Sequence, residues 1–205
     1  LKSIKTTYQE GTFAIPAMGM EFKYSRYSKR PNKMKMEMAD ENSGMQMIQC
    51  LNGDMGWYVD PFRGVTEPVE MDEQMYEMMA RQSDPDSFLF DREKKGIKVE
   101  LVGKEERAGM QVNNVKVTYK DGTFFNAFFD VDSGILMGTA MTMEQMGQQV
   151  SMETRMADYK EVGGTLVPHT ITIMQATMEM SINLTKYTVN EPVDDAIFAM
   201  PAAEK

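Results

Sequence analysis

Residues 34–38 read Met-Lys-Met-Glu-Met, apolar and charged side chains alternating at every step. No other feature restricts the fold as much. Successive side chains of an extended chain point to opposite faces, so this segment has a thioether face and a charged face; on a helix the same residues would scatter around the axis. The pattern recurs where Ile97, Val99 and Leu101 alternate with Lys98 and Glu100, and where Val115, Val117 and Tyr119 alternate with Lys116 and Thr118. Further strands are expected near residues 6–15, 20–28, 45–51, 55–59, 123–130, 135–144, 150–160, 166–177 and 179–189. Between the runs lie Asn52-Gly53, Asp121-Gly122, Ser133-Gly134 and Gly163-Gly164, residues that accept the positive φ of tight hairpin turns. Half-wet strands joined in this way form an antiparallel meander, here of about ten strands.

One segment breaks the period of two. After Thr66 and Pro68, Met71, Met75, Met78 and Met79 recur at the i, i+4, i+7, i+8 spacing of an amphipathic helix, with Glu70, Asp72, Glu73 and Glu77 largely opposite. The spacing predicts a helix from Val69 to Arg81. Ser83-Asp84-Pro85-Asp86-Ser87 then stops it, because proline cannot continue the ladder and Asp and Ser favour turns.

The 205 residues show no linker and are expected to form one domain over 1–205. With 22 Lys and Arg against 31 Asp and Glu, the net charge of -9 opposes binding to a phosphate backbone, so no nucleic-acid partner is expected. No apolar run reaches the length of a membrane-spanning helix. A lone cysteine, Cys50, can form neither an internal disulfide nor a multi-thiolate zinc site.

Methionine is the compositional outlier, at 23 residues against 10 phenylalanines. Its three rotatable bonds specify shape poorly, so a surface that accepts many apolar shapes favours it more than a unique core does. The methionines also recur on alternate strand positions. Met34, Met36, Met38, Met45, Met47, Met141, Met143, Met174 and Met178, with Trp57, are therefore expected to line a cavity for a lipophilic ligand. Met71, Met75, Met78 and Met79 are expected to form the inner face of a helical lid over it. A second reading is Cu(I) held by Met-x-Met pairs such as Met18/Met20 and Met178/Met180, since thioethers suit that ion and such pairs share a strand face. A third is a protein-interaction module, or envelope sensor, that uses the fold without cargo.

The stretch NGDMGWYVDPFRGVTEPVEM, residues 52–71, resembles the centre of the periplasmic outer-membrane lipoprotein carrier (LolA/LolB-like) superfamily. The matching features are an Asn-Gly hairpin, the aromatic pair Trp57 and Tyr58, then Pro61 and Phe62. KVTYKDGTFFNAFFDVDSGILMG (116–138), DYKEVGGTLVPHTITI (158–173) and DDAIFAMP (194–201) resemble the family's successive hairpins, late strands and C-terminal tail. The resemblance implies a β-rich α+β fold: a single open, strongly curved antiparallel β-sheet, or half-barrel, with a helical lid over an apolar cavity for acyl chains. It also implies a periplasmic or otherwise exported protein, partnered by a lipophilic ligand or lipoprotein acyl chains and by a membrane-associated donor or acceptor protein. Trp57 and Tyr58 are expected on the central sheet. Members of the superfamily usually begin with a helix, whereas Leu1-Lys2-Ser3-Ile4 enters the first strand almost at once, so the expectation is a chain from which that helix has been trimmed.

Chemistry finds little support in the sequence. His169 is the only histidine and has no serine and acid that the sequence singles out as partners. Asp130-Val131-Asp132-Ser133-Gly134 begins like a calcium loop, yet its glycine comes one position early and the closing glutamate is missing. The glycines assemble no phosphate loop. No enzyme activity, catalytic residue, metal site or cofactor is expected.

Overall fold

The computed structural model describes residues 3–84, 87–145 and 148–202. From β1 (Thr6–Ile15) the chain steps outward through β2 (Met20–Lys29), β3 (Lys33–Ala39), β4 (Gln46–Asn52) and β5 (Met55–Asp60) to β6 (Val65–Glu70) at one edge. Residues 71–97, which contain α1 (Glu73–Gln82), then cross to the opposite edge. From β7 (Lys98–Arg107) the chain returns through β8 (Met110–Thr118), β9 (Phe124–Asp130), β10 (Leu136–Gln145), β11 (Gln148–Val162) and β12 (Thr165–Gln175) to β13 (Met178–Val189). There β13 pairs with β1, and every pairing is antiparallel. The result is one open sheet of thirteen strands whose edges, β6 and β7, do not meet. Register shifts at Glu10/Gly11, Tyr58/Asp60, Leu101/Gly103 and Leu136/Gly138 add the local twist that bends such a sheet.

Thirteen strands stand where about ten were expected; twelve coincide with the segments that periodicity picked out, and the one it missed is β6. Val69 and Glu70, read as the start of the helix, pair instead with Tyr58 and Trp57. Pro68 is tolerated there because β6 is an edge strand, where a missing N–H breaks no ladder on the open side. The helix consequently begins at Glu73. Asp72 caps it by accepting a hydrogen bond of 2.8 Å from the Met75 N–H, Glu73 lies in its first turn and Arg81 in its last, both favourable to the helix dipole. Trp57 and Tyr58 lie on β5 of this sheet, second from its edge.

Register divides the side chains between two faces. On one, Met34, Met36 and Met38 stand opposite Leu51, Gln49 and Met47, with Tyr24, Arg26 and Ser28 on the next strand. On the other, Lys35 and Glu37 stand opposite Cys50 and Ile48, and Cys50 opposite Trp57. Only the first face is covered by the crossing segment: Met71 and Met79 are buried against Met34 and Leu51, with Met75, Tyr76 and Ala80 packed beside them. Further along the crossing, Phe88 and Ile97 pack on Val117, Ala127 and Phe125. The second face receives the C-terminal tail, whose Phe198 is buried against Cys50 and Trp57.

Candidate functional site

The topology explains why a cavity exists. A single segment spans a face thirteen strands wide, packing at one end through α1 and at the other through Phe88 and Ile97. Between those two contacts the sheet is bridged rather than filled, leaving a cavity of about 990 Å³, near the top of the ~300–1,000 Å³ usual for ligand pockets. Its floor comes from β1, β2, β12 and β13 through Thr7, Gln9, Arg26, Ser28, Val167 and Tyr187, and its roof from Ala80, Arg81, Phe88 and Ile97.

The roof is tied down at both ends. The Tyr76 hydroxyl donates to the Gly53 carbonyl at 2.8 Å, fixing α1 to the β4–β5 turn. Gly56 makes room for Met71 beside it, because a Cβ at that position would lie 2.7 Å from the Met71 sulfur, which would have to shift. Across the sheet Arg81 reaches Asp121 at 2.8 Å and donates to the Thr123 hydroxyl at 3.2 Å, while its guanidinium lies 5.2 Å from the centre of the Tyr119 ring. Hydrogen bonds from the Thr123 hydroxyl and N–H, then from Arg81, hold the Asp121 carboxyl down at about 2. Lys95 pairs with Asp84 and donates to the Ser87 carbonyl, bracing the segment after the helix.

The predicted lining residues divide into groups. Met34, Met36, Met38 and Met47 share the covered face on adjacent strands and pack with Phe22, Tyr24, Leu51 and Leu184. Across β1, Met141 stands opposite Met152, and Met178 opposite Gln175, which in turn stands opposite Met152. Met141, Met178 and the first group therefore share a face, on two patches separated by β1. Met174 does not join them; it alternates with Ile173 and Gln175 and stands opposite Glu153 and Glu179 on the other face. Met45 lies in the turn before β4, and the Met143 side chain lies outside the described residues. Trp57 is on the second face, 1% exposed, its indole N–H donating to the Phe198 carbonyl at 3.0 Å. It closes a structural core there, because odd and even positions of β5 face opposite ways and Tyr58, not Trp57, shares the methionine side. Of the four lid residues, Met71 and Met79 are buried, Met75 is half-buried and Met78 points away, 50% exposed.

Among the described residues that bound the cavity there is no methionine; Leu51 is the point where it meets the Met34 side. Sequence reasoning missed the polar floor, above all Arg26 and Gln9, whose only signal was two polar residues at same-face positions of neighbouring strands. Elsewhere, the Cys50 thiol is pushed up to about 12 by burial and donates to the Phe198 carbonyl, so it is an inert core group. His169 is buried, with Nδ1 3.0 Å from the Val167 carbonyl. Asp130 accepts hydrogen bonds from the Ser133 N–H and hydroxyl, which makes 130–134 a hairpin turn.

No family model and no curated protein matches this sequence. Solved structures match its fold. A LolA superfamily protein from Nitrosomonas europaea superposes with a TM-score of 0.65 at 12% identity, over 96% of this chain and 90% of that one. A putative outer membrane lipoprotein-sorting protein domain from Vibrio parahaemolyticus gives 0.66 at 10% identity, over 95% and 89%. A DUF1329 family protein from Desulfovibrio piger gives 0.67 at 12% identity, over 96% and 90%. The chain has the LolA-like fold.

Proposed function

We propose that this protein is a non-enzymatic carrier of a lipophilic ligand in the cell envelope, holding its cargo between the methionine-bearing face of the sheet and the crossing segment. The observation that carries this reading is the 990 Å³ cavity bridged by one tied segment. The LolA-like fold supports it, since one solved protein of the same fold is described as sorting outer-membrane lipoproteins. On this reading an acyl chain extends from the cavity past Leu51 across Met34 and Met36, where unbranched thioether side chains re-pack around it. Burying a long chain is worth roughly 0.8 kcal/mol per methylene, on the order of 10 kcal/mol before ordering costs. The half-buried Met75 makes α1 the lid that must yield for entry and release.

Native mass spectrometry of the full chain, purified without detergent from an exporting host, tests the reading. Adducts of lipid mass are the expected result. A protein that stays bare after incubation with envelope lipids would overturn it. Uptake unchanged in Met75→Asp would remove α1 from the role of lid.

A further inference from the structure

The floor of the cavity contains a cation with no counter-charge. Arg26 stands on β2 with Gln9 of β1 and Met36 of β3 directly beside it, and Tyr187 beyond Gln9. Its Nε is buried and has no hydrogen-bond partner. Among the described residues no Asp or Glu forms an ion pair with it. Several other cations at the cavity have acid partners: Lys29 and Lys33 share Asp195 at 2.6 and 3.0 Å, and Arg81 has Asp121. The Tyr24 and Tyr187 phenols, raised by burial, are both drawn back down by the Arg26 charge. Withdrawing a charge from water without a partner is costly, so its position over a ligand cavity calls for a counter-ion that arrives with the ligand.

The wider charge distribution agrees. Among the described residues bounding the cavity, Lys and Arg outnumber Asp and Glu by eight to three, although acids outnumber bases 31 to 22 in the whole chain. A basic mouth on an acidic protein draws anions toward that one place. A guanidinium matches a carboxylate or phosphate with parallel hydrogen bonds, and Leu51, Phe88, Ile97 and Val167 supply apolar wall beside it.

Building on the carrier reading, we propose that the cargo is an acidic amphiphile whose carboxylate or phosphate head pairs with Arg26 while its hydrocarbon lies on the apolar wall. The test is displacement of a fluorescent fatty probe from the full chain by palmitate, hexadecyl phosphate, lysophosphatidic acid, hexadecanol and hexadecyltrimethylammonium. The acids should bind on the order of ten-fold or more tighter than hexadecanol, and the ammonium weakest. Arg26→Met should remove that preference while leaving hexadecanol binding intact; if this variant does not fold, Arg26→Gln takes the same readout. Palmitate against lysophosphatidic acid then distinguishes a free fatty acid from a lipid phosphate as the source of the head. Equal binding of acid and alcohol, or an acid preference that survives loss of Arg26, overturns the proposal and leaves the carrier reading standing. Failure of every amphiphile to bind overturns both.

Discussion

The two faces of β3, β4 and β5 are made from the same short strands, yet one is closed and the other is bridged. On the closed face Cys50, Trp57 and Phe198 are at most 1% exposed, and the Phe198 carbonyl accepts from both the indole and the thiol. On the bridged face Met34 and Leu51 are buried beneath α1, but Met36, Met47 and Met75 remain half-buried and the cavity opens beyond. An aromatic ring held by a directed hydrogen bond has one good arrangement, whereas a thioether chain has several of similar energy. The difference teaches where each resource lies: shape specificity on the side that holds the hairpins together, adaptability on the side that borders the cavity.

That contrast can be broken from either side. Trp57→Ala empties the closed core and should cost about 3–5 kcal/mol in denaturant unfolding, lowering stability with no change in ligand affinity per folded molecule. Met79→Ala removes a buried contact under the helix and should cost roughly 2 kcal/mol, since a helix tied by only a few contacts relaxes partway into the space. Unlike the Trp57 change, it should also speed ligand release in a transfer assay. Asp72→Ala deletes the α1 cap and should cost about 1 kcal/mol, a fall of roughly 2–4 °C in Tm for a chain of this size. The smallest effect belongs to Asp121, where depression of the carboxyl sets the sign. The lowered value means that the contacts with Thr123 and Arg81 are fully present above the ordinary value of 3.8 and are lost as pH falls through about 2. Asp121→Asn should therefore raise amide exchange in 76–83 at pH 7, and the difference from the parent should shrink through about pH 2 and vanish below it. A difference that persists undiminished well below that value would assign the effect to something other than the carboxylate.

Much of the fold is already implied by residue order. Alternation at Met34–Met38 and the Gly-containing turns at 53, 122, 134 and 163 identify strands and hairpins by purely local sterics, and those turns fall where they were expected. The error at 69–70 is equally local in origin. Val69 and Glu70 fit a helix period and a strand period alike, and pairing with Tyr58 and Trp57 decides between them.

The site was much less legible. A methionine stripe announces an adaptable apolar face, but not which strands lie side by side, and β1 divides it into two patches. Trp57 looks like a cavity aromatic until Phe198, far along the chain, covers it. Arg26 looks like any polar strand residue until the crossing of 71–97 places it beneath a roof, its Nε buried without a hydrogen-bond partner among the described residues. Strand identity and turn position follow from short-range chemistry within a few residues. Which face is roofed, and which charge is left inside, depends on contacts between segments more than a hundred residues apart or on opposite sheet edges, and those exist only once the chain has closed on itself.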